Sequence, residues 1–259
     1  MSPGLGAIRF MTFDETTIAL PPPKPLSLAQ AALFLDLDGT LAPIAARPQD
    51  VRPDPRRTSL LARLETTLDG RLAVVSGRTL TDVDRILESR ITAVAAVHGL
   101  VRRDPDGTIH QAAPHPDLPE AARRFRDFAS RDSGLIVEDK GLSVALHYRL
   151  ARAHGPAAEA LAQELAAATG LTLQHGDMVE ELRTPGPTKG DSVEAFLDRP
   201  PFAGARPIFV GDDDTDEHGF AAVHARGGVG VLIGPPRATD AKFRLPGVEE
   251  ALAWLEAAL

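Results

Sequence analysis

The sequence predicts an α/β fold: a doubly wound parallel sheet that carries a second, smaller inserted domain. Three observations lead there. Short apolar runs at 31–35, 72–75, 91–97, 207–210 and 228–233 alternate with segments of helical apolar spacing, the pattern of strand–helix–strand units. The residues with chemical potential stand just after these runs, at what become the carboxyl ends of parallel strands. Between about 106 and 185 the texture changes to apolar runs joined at Gly-containing turns, which marks antiparallel pairing. The expected organisation is a tail over 1–30, a Rossmann-like core over 31–105 and 186–259, and an α+β cap over 106–185.

Composition narrows the function classes. The chain has 259 residues, 43% hydrophobic and 25% charged, which fits a globular protein with a sizeable core. A net charge of −8 with no offsetting basic stretch argues against nucleic-acid binding. It leaves an anionic substrate open, because local Arg, Lys and a cation can outweigh the mean field. With no Cys there is no disulfide, thiolate nucleophile or thiolate metal site. No apolar run reaches the ~18 residues of a membrane span, and the first residues lack the basic-then-apolar pattern of a signal peptide. The expected location is therefore cytoplasmic, with no membrane partner.

Taken in order, residues 1–30 are rich in Pro and Gly, so regular structure is blocked and a mobile tail is expected. Ala31–Leu35 is a buried strand that runs into Asp36, Leu37, Asp38, Gly39 and Thr40. Residues two apart on a strand point the same way, so Asp36 and Asp38 leave it side by side. Adjacent carboxylates repel unless a cation or proton holds them. The arrangement suits a Mg²⁺ site with one Asp free to attack phosphorus, and equally an Asx-Gly turn. The Pro43–Pro55 loop can lie over such a site. Leu60, Leu61, Leu64 and Leu68 have helical spacing, with Gly70 as a stop.

The strand Leu72–Val75 ends in Ser76, Gly77 and Arg78. A hydroxyl and a Gly between a strand and a helix make a phosphate seat. The next strand, Ile91–Val97, ends in His98 and Gly99. His98 fits a ligand-binding role and an imidazole satisfied by backbone at a turn.

Strands at 101–103 and 108–111 flank the turn Asp106-Gly107. A helix over 120–131 and a hairpin, 135–138 with 142–148, follow. A helix over 157–169 and a second pair, 171–174 with 178–182, complete the insert. Placed after the carboxyl end of a strand, the insert stands above the site as a lid. Thr188-Lys189-Gly190-Asp191 then opens a helix. A Lys in the first turn opposes the helix dipole, so an anionic partner explains it, as does simple solvation. The strand 207–210 ends in Gly211-Asp212-Asp213-Asp214-Thr215-Asp216-Glu217. Crowded carboxylates behind a buried strand call for a divalent cation, and oxygen-only donors favour Mg²⁺. A last strand over 228–233 and an amphipathic helix over 248–259 close the chain.

D-x-D-G-T, S-G-R, a spaced Lys and G-D-D-x-T-D-E, in this order, resemble the haloacid-dehalogenase-like phosphatases. FLDLDGTLAPI at 34–44, VHG at 97–99, EDKGLSVALHYR at 138–149, VEEL at 179–182 and TKGDSV at 188–193 extend the resemblance to the trehalose-6-phosphate phosphatases. It spans residues 30 to 259. The resemblance implies Asp36 as nucleophile and Asp38 as general acid and base, with Ser76 and Lys189 on the phosphoryl oxygens. It implies Mg²⁺ on Asp36, the Asp38 carbonyl and Asp212, with Asp213 and Asp216 orienting waters or Lys189. Arg78, His98, Glu138, Lys140, Arg149 and Glu181 would bind the substrate, trehalose 6-phosphate. A separate synthase of that sugar phosphate is the functional partner implied.

One position departs from the family pattern. Four residues before the family's counterpart of Glu181 a Lys is frequent, and here Asp177 reverses its charge. An ionised Asp accepts hydrogen bonds from hydroxyls but cannot donate them. Sucrose phosphate or a mannosyl phosphate therefore stays open as the substrate. A phosphomutase would use the same Asp pair. A sugar-phosphate sensor would keep the fold but has no need of a nucleophile.

Overall fold

In a computed structural model that describes residues 20–259, the predicted runs become strands of two sheets. The strands are β1 Ala31–Leu35, β2 Leu72–Val75, β3 Ala93–Ala96, β4 Val101–Arg103, β5 Ile109–Gln111 and β6 Ile136–Asp139. They continue as β7 Ser143–His147, β8 Thr172–Gly176, β9 Val179–Arg183, β10 Arg206–Gly211, β11 Val229–Ile233 and β12 Phe243–Leu245. The helices are α1 Pro55–Thr67, α2 Leu80–Ile86, α3 Leu118–Ala129, α4 Gly155–Thr169, α5 Lys189–Leu197, α6 Glu217–Ala225 and α7 Val248–Glu256.

The larger sheet runs β12-β11-β10-β1-β2-β3-β4-β5. Its pairs are parallel from β12 through β3 and antiparallel at β3–β4 and β4–β5. Strand alternation divides the core between two faces. Leu33, Leu35, Val74, Val94 and Val210 pack under α1, α2 and α7. Ala32, Phe34, Ala73, Val75 and Phe209 pack under α5 and α6. Burial on both faces explains why these strands read as unbroken apolar runs. The order reverses beside β1, so loops on the two sides of the sheet diverge there and open a crevice.

The smaller sheet is antiparallel, β6-β7-β9-β8. Val144, Leu146 and Leu182 face α3 and α4 and form a third core with Phe125, Phe128, Ala158 and Leu165. The residues between them face the larger sheet. Across the strands Glu138 is opposite Ala145, and Ala145 is opposite Glu181, so small Ala145 leaves room between the two carboxylates.

Three expectations change. Residues 20–30 are not a tail: Arg244 N–H donates to Pro21 O, Trp254 Nε1 donates to Lys24 O, and Leu28 is buried. Proline forbids a helix or ladder but not extended packing; residues 1–19 lie outside the described set. The boundary drawn at 106 falls inside the β4–β5 hairpin, whose second strand pairs within the larger sheet. Antiparallel texture marks the hairpin but does not reveal the sheet it joins. Strand β12 was not expected, because three residues at a sheet edge give no apolar run. Among the described residues no helix is long and apolar enough to cross a membrane.

Candidate active site

Asp36 and Asp38 follow β1, Ser76 and Arg78 follow β2, His98 follows β3, and Asp212 follows β10. All lie at carboxyl ends of parallel strands, so one edge of the sheet gathers them. Lys189 enters from the first turn of α5, whose start is fixed by a reciprocal Thr188–Asp191 capping box. With the cap residues Glu138, Lys140, Arg149 and Glu181 they line one cleft of about 180 Å³. That is below the ~300–1,000 Å³ usual for ligand pockets, so the cap sits close over the core.

At the floor, Lys189 Nζ lies 2.8 Å from Asp36 Oδ1 and 2.6 Å from Asp216 Oδ1. The Lys189 side chain is 2% exposed. Burial works against its charge, yet Asp216, Asp36 and Asp213 hold the ammonium well above the usual lysine range. Burial pushes Asp36 well up, opposed by Lys189 and reinforced by Asp216 and Asp212. Asp212 is raised to about 8 by burial and by Asp216 and Asp213. Asp216 is raised to about 6, burial again leading.

Oxygens of Asp36, Asp212 and Asp216 all lie within 4.8 Å of one another. Fully ionised, three carboxylates against one ammonium would leave two negative charges, a deficit that suits a divalent cation. Asp216 is already engaged: Oδ1 takes Lys189, and Oδ2 accepts the Asp212 and Asp213 N–H groups at 2.9 and 3.1 Å. Asp36 and Asp212 thus keep the capacity to ligate. Gly39, at φ +81°, gives Asp212 its room: a Cβ there would stand 1.9 Å from Asp212 Oδ2.

His98 reaches the cap by an unusual backbone. Val97 and His98 have φ of 47° and 56°, a left-handed conformation costly for a β-branched residue. Two hydrogen bonds hold it, Val97 N–H to Arg78 O at 2.8 Å and His98 N–H to Ser76 O at 3.0 Å. The imidazole lies so close over Gly77 that a Cβ there would be 2.4 Å from His98 Nε2. Its Nε2 then lies 3.4 Å from Glu181 Oε2, joining core to cap. Burial holds the imidazole below its ordinary pKa.

On the roof, Lys140 Nζ donates to Glu181 Oε2 at 2.7 Å. Burial acts upward on the Glu181 carboxyl, but Lys140 and His98 outweigh it and hold it well below the usual range. Two buried atoms there, His98 Nδ1 and Glu181 Oε1, have no hydrogen-bond partner. Glu138 pairs with His147 Nε2 at 2.9 Å.

Arg78 lines the cleft and is already paired within it. Its Nε and Nη2 fork onto Asp38 Oδ2 and Oδ1 at 2.6 and 2.7 Å, and Nη1 donates to Pro48 O at 2.9 Å. Arg149 likewise pairs sideways, with Asp177 Oδ2 at 2.9 Å. The charge reversal at 177 is therefore balanced by a residue of the same rim.

Sequence reasoning missed three contributors. The Thr40 hydroxyl donates to Asp212 Oδ1 at 3.3 Å, and its place in D-x-D-G-T was the available signal. His147 was passed over within the strand. Arg237 follows β11 and donates to Asp213 O at 2.7 Å while its guanidinium contacts Glu217 and Asp214. A lone Arg in a Gly-Pro-Pro loop gives no hint of that reach.

The chain is similar to known proteins over most of its length. The trehalose-phosphatase family profile matches residues 34–249. A "probable trehalose-phosphate phosphatase" of Sinorhizobium fredii is 42% identical over 231 residues, covering 88% of this chain and 87% of that protein. The trehalose-6-phosphate phosphatase of Escherichia coli is 39% identical over 234 residues, covering 88% and 86%. The crystal structure of a trehalose-6-phosphate phosphatase related protein superposes with a TM-score of 0.72 at 29% identity, covering 86% of this chain and 95% of that one. From the strand-end carboxylates to the family match over most of its length, the chain belongs to the trehalose-phosphatase family.

Proposed function

We propose that this protein is a Mg²⁺-dependent phosphatase that converts trehalose 6-phosphate to trehalose and phosphate through an aspartyl-phosphate. The observation that carries the reading is the buried Asp36–Lys189–Asp216 cluster, set beneath a roof of paired charges from a second sheet. Asp36, the Asp38 carbonyl and Asp212 would hold the cation, which when bound neutralises charge on the phosphoryl group.

In the first step an Asp36 carboxylate oxygen attacks phosphorus and the bond from phosphorus to the sugar oxygen breaks. Protonated Asp38 gives its proton to that departing oxygen. In the second, the Asp38 carboxylate takes a proton from water, whose oxygen attacks phosphorus. The Asp36–phosphorus bond breaks, and Asp36 returns as a carboxylate. Ser76 and Lys189 hold the phosphoryl oxygens and stabilise their charge throughout. Asp213 and Asp216 orient the groups around them.

The cap supplies specificity. Glu138, Lys140 and Glu181 offer acceptors and donors to sugar hydroxyls, as a hydroxyl-rich ligand requires. His98 and Arg149 complete the wall. A synthase-type glycosyl transfer must supply this substrate.

The test is phosphate release from trehalose 6-phosphate, sucrose phosphate, glucose 6-phosphate and an aryl phosphate, with Mg²⁺ and with chelator. Strong Mg²⁺-dependent preference for trehalose 6-phosphate is expected. Mg²⁺-dependent release without preference would keep the chemistry and remove the sugar assignment. Isomerised sugar phosphate in place of phosphate would make the chain a mutase.

A further inference from the structure

Arg78 comes from the turn after β2 and Asp38 from the turn after β1, yet a two-point fork joins them. Both line the cleft, the Arg78 side chain 9% exposed and the Asp38 side chain 33% exposed. Arg78 is itself anchored: its guanidinium Nη1 donates to Pro48 O, its backbone N–H donates to Ser76 Oγ at 3.2 Å, and its backbone O accepts from Val97 N–H. An aspartate on a turn can rotate about two side-chain torsions. Two parallel N–H···O bonds fix both, along with the plane of the carboxylate. A charge without the fork, such as a lysine, fixes neither.

We propose that Arg78 is a positioning residue for the reaction: it aims the Asp38 carboxyl group, and acts on turnover only through Asp38. This rests on the phosphatase reading above. Three of the five guanidinium N–H donors are directed at Asp38 and Pro48, so Arg78 is an internal brace rather than a direct partner of the sugar. The brace also ties the phosphate seat to the proton donor, since Ser76 and Arg78 are two residues apart on one turn. A displacement of about 1 Å in a reacting group can cost ~10²-fold in rate.

The test exploits leaving groups. A sugar alkoxide needs a proton as it departs; p-nitrophenolate does not. With enzyme in excess, single-turnover release of trehalose from trehalose 6-phosphate should fall about 10²-fold in Arg78→Lys. Single-turnover release of p-nitrophenolate from its phosphate should change by less than about threefold. Multiple turnovers of the aryl phosphate should then show a burst, because the later water step also uses Asp38. In the Asp38→Asn background Arg78→Lys should cost nothing more, since coupled groups are not additive. Retained single-turnover release of p-nitrophenolate and circular dichroism report that the variant is folded; should Arg78→Lys misfold, the same rates in Arg78→Gln carry the test. Equal losses on both substrates would overturn the proposal, as would a loss that adds in full to Asp38→Asn. If the wild-type protein released neither leaving group, the phosphatase reading itself would fail, an outcome distinct from both.

Discussion

The floor and the rim of the cleft hold charge in opposite ways. On the floor, Lys189, Asp36 and Asp216 are 2%, 6% and 0% exposed and come from three separate elements. At the cap rim, Arg149 and Asp177 are 23% and 57% exposed, and Glu138 pairs with His147 on the neighbouring strand. Buried pairs cannot be broken cheaply, because the partner is left as an unpaired charge. Exposed pairs contribute little and can be exchanged for hydroxyls of a ligand. On the proposed function, the difference gives unchanging chemistry to the floor and adjustable recognition to the rim, while the buried Lys140–Glu181 pair of the roof, 6% and 7% exposed, resembles the floor.

The comparison is broken most sharply at Asp36. Asp36→Asn should lower turnover of every phosphate by at least about 10⁴-fold while the protein stays folded; retained turnover in the steady-state assay would remove the nucleophile. Next comes Lys189→Met, which leaves three carboxylates without their cation. Urea unfolding in chelator should show a loss of about 3–5 kcal/mol, partly restored by Mg²⁺.

Moving to the roof, Glu138→Ala should cost about 2–3 kcal/mol in kcat/KM for trehalose 6-phosphate and far less for an aryl phosphate. Equal losses would place Glu138 outside the sugar site. A smaller effect, confined to acid, tests Glu181. Its carboxyl is held well below the ordinary range in the folded protein. Its contribution to stability is therefore full above the unfolded value near ~4.3 and is lost as pH falls through the folded value. The stability gap between wild type and Glu181→Gln should be flat above pH ~5 and narrow below about 4. Smallest of all, Asp177→Asn should change stability by less than about 1 kcal/mol, because its pair is mostly solvated. Its mark should appear in the ratio of trehalose 6-phosphate to sucrose phosphate turnover.

Floor and roof also differ in how readable they were. Asp36, Ser76, His98 and Asp212 stand at strand ends, and parallel strands bring their ends to one edge whatever lies between. The two-residue strand period puts Glu138 and Lys140 on one face, and the motif resemblance singles them out together with Glu181. The long arginines defeated that logic. Arg78 and Arg237 reach across turns from different strands, so their partners depend on side-chain length and on the relative height of two loops. The cleft's closure was invisible for the same reason: His98 meets Glu181 through two left-handed residues that no periodicity announces.

The hairpin of β4 and β5 has a practical consequence for recombining this lid with other cores. Strand β5 is the terminal strand of the eight-stranded sheet. A chimaera cut at 106 would carry Ile109–Gln111 away with the lid and leave Val101–Arg103 as a bare edge. Such an edge offers unpaired N–H and C=O groups to the next molecule and invites self-association. Junctions in the proline-rich segment after β5 and in the segment after β9 keep β4 paired. Grafts built that way keep the β4–β5 pairing, and grafts cut at 106 lose it.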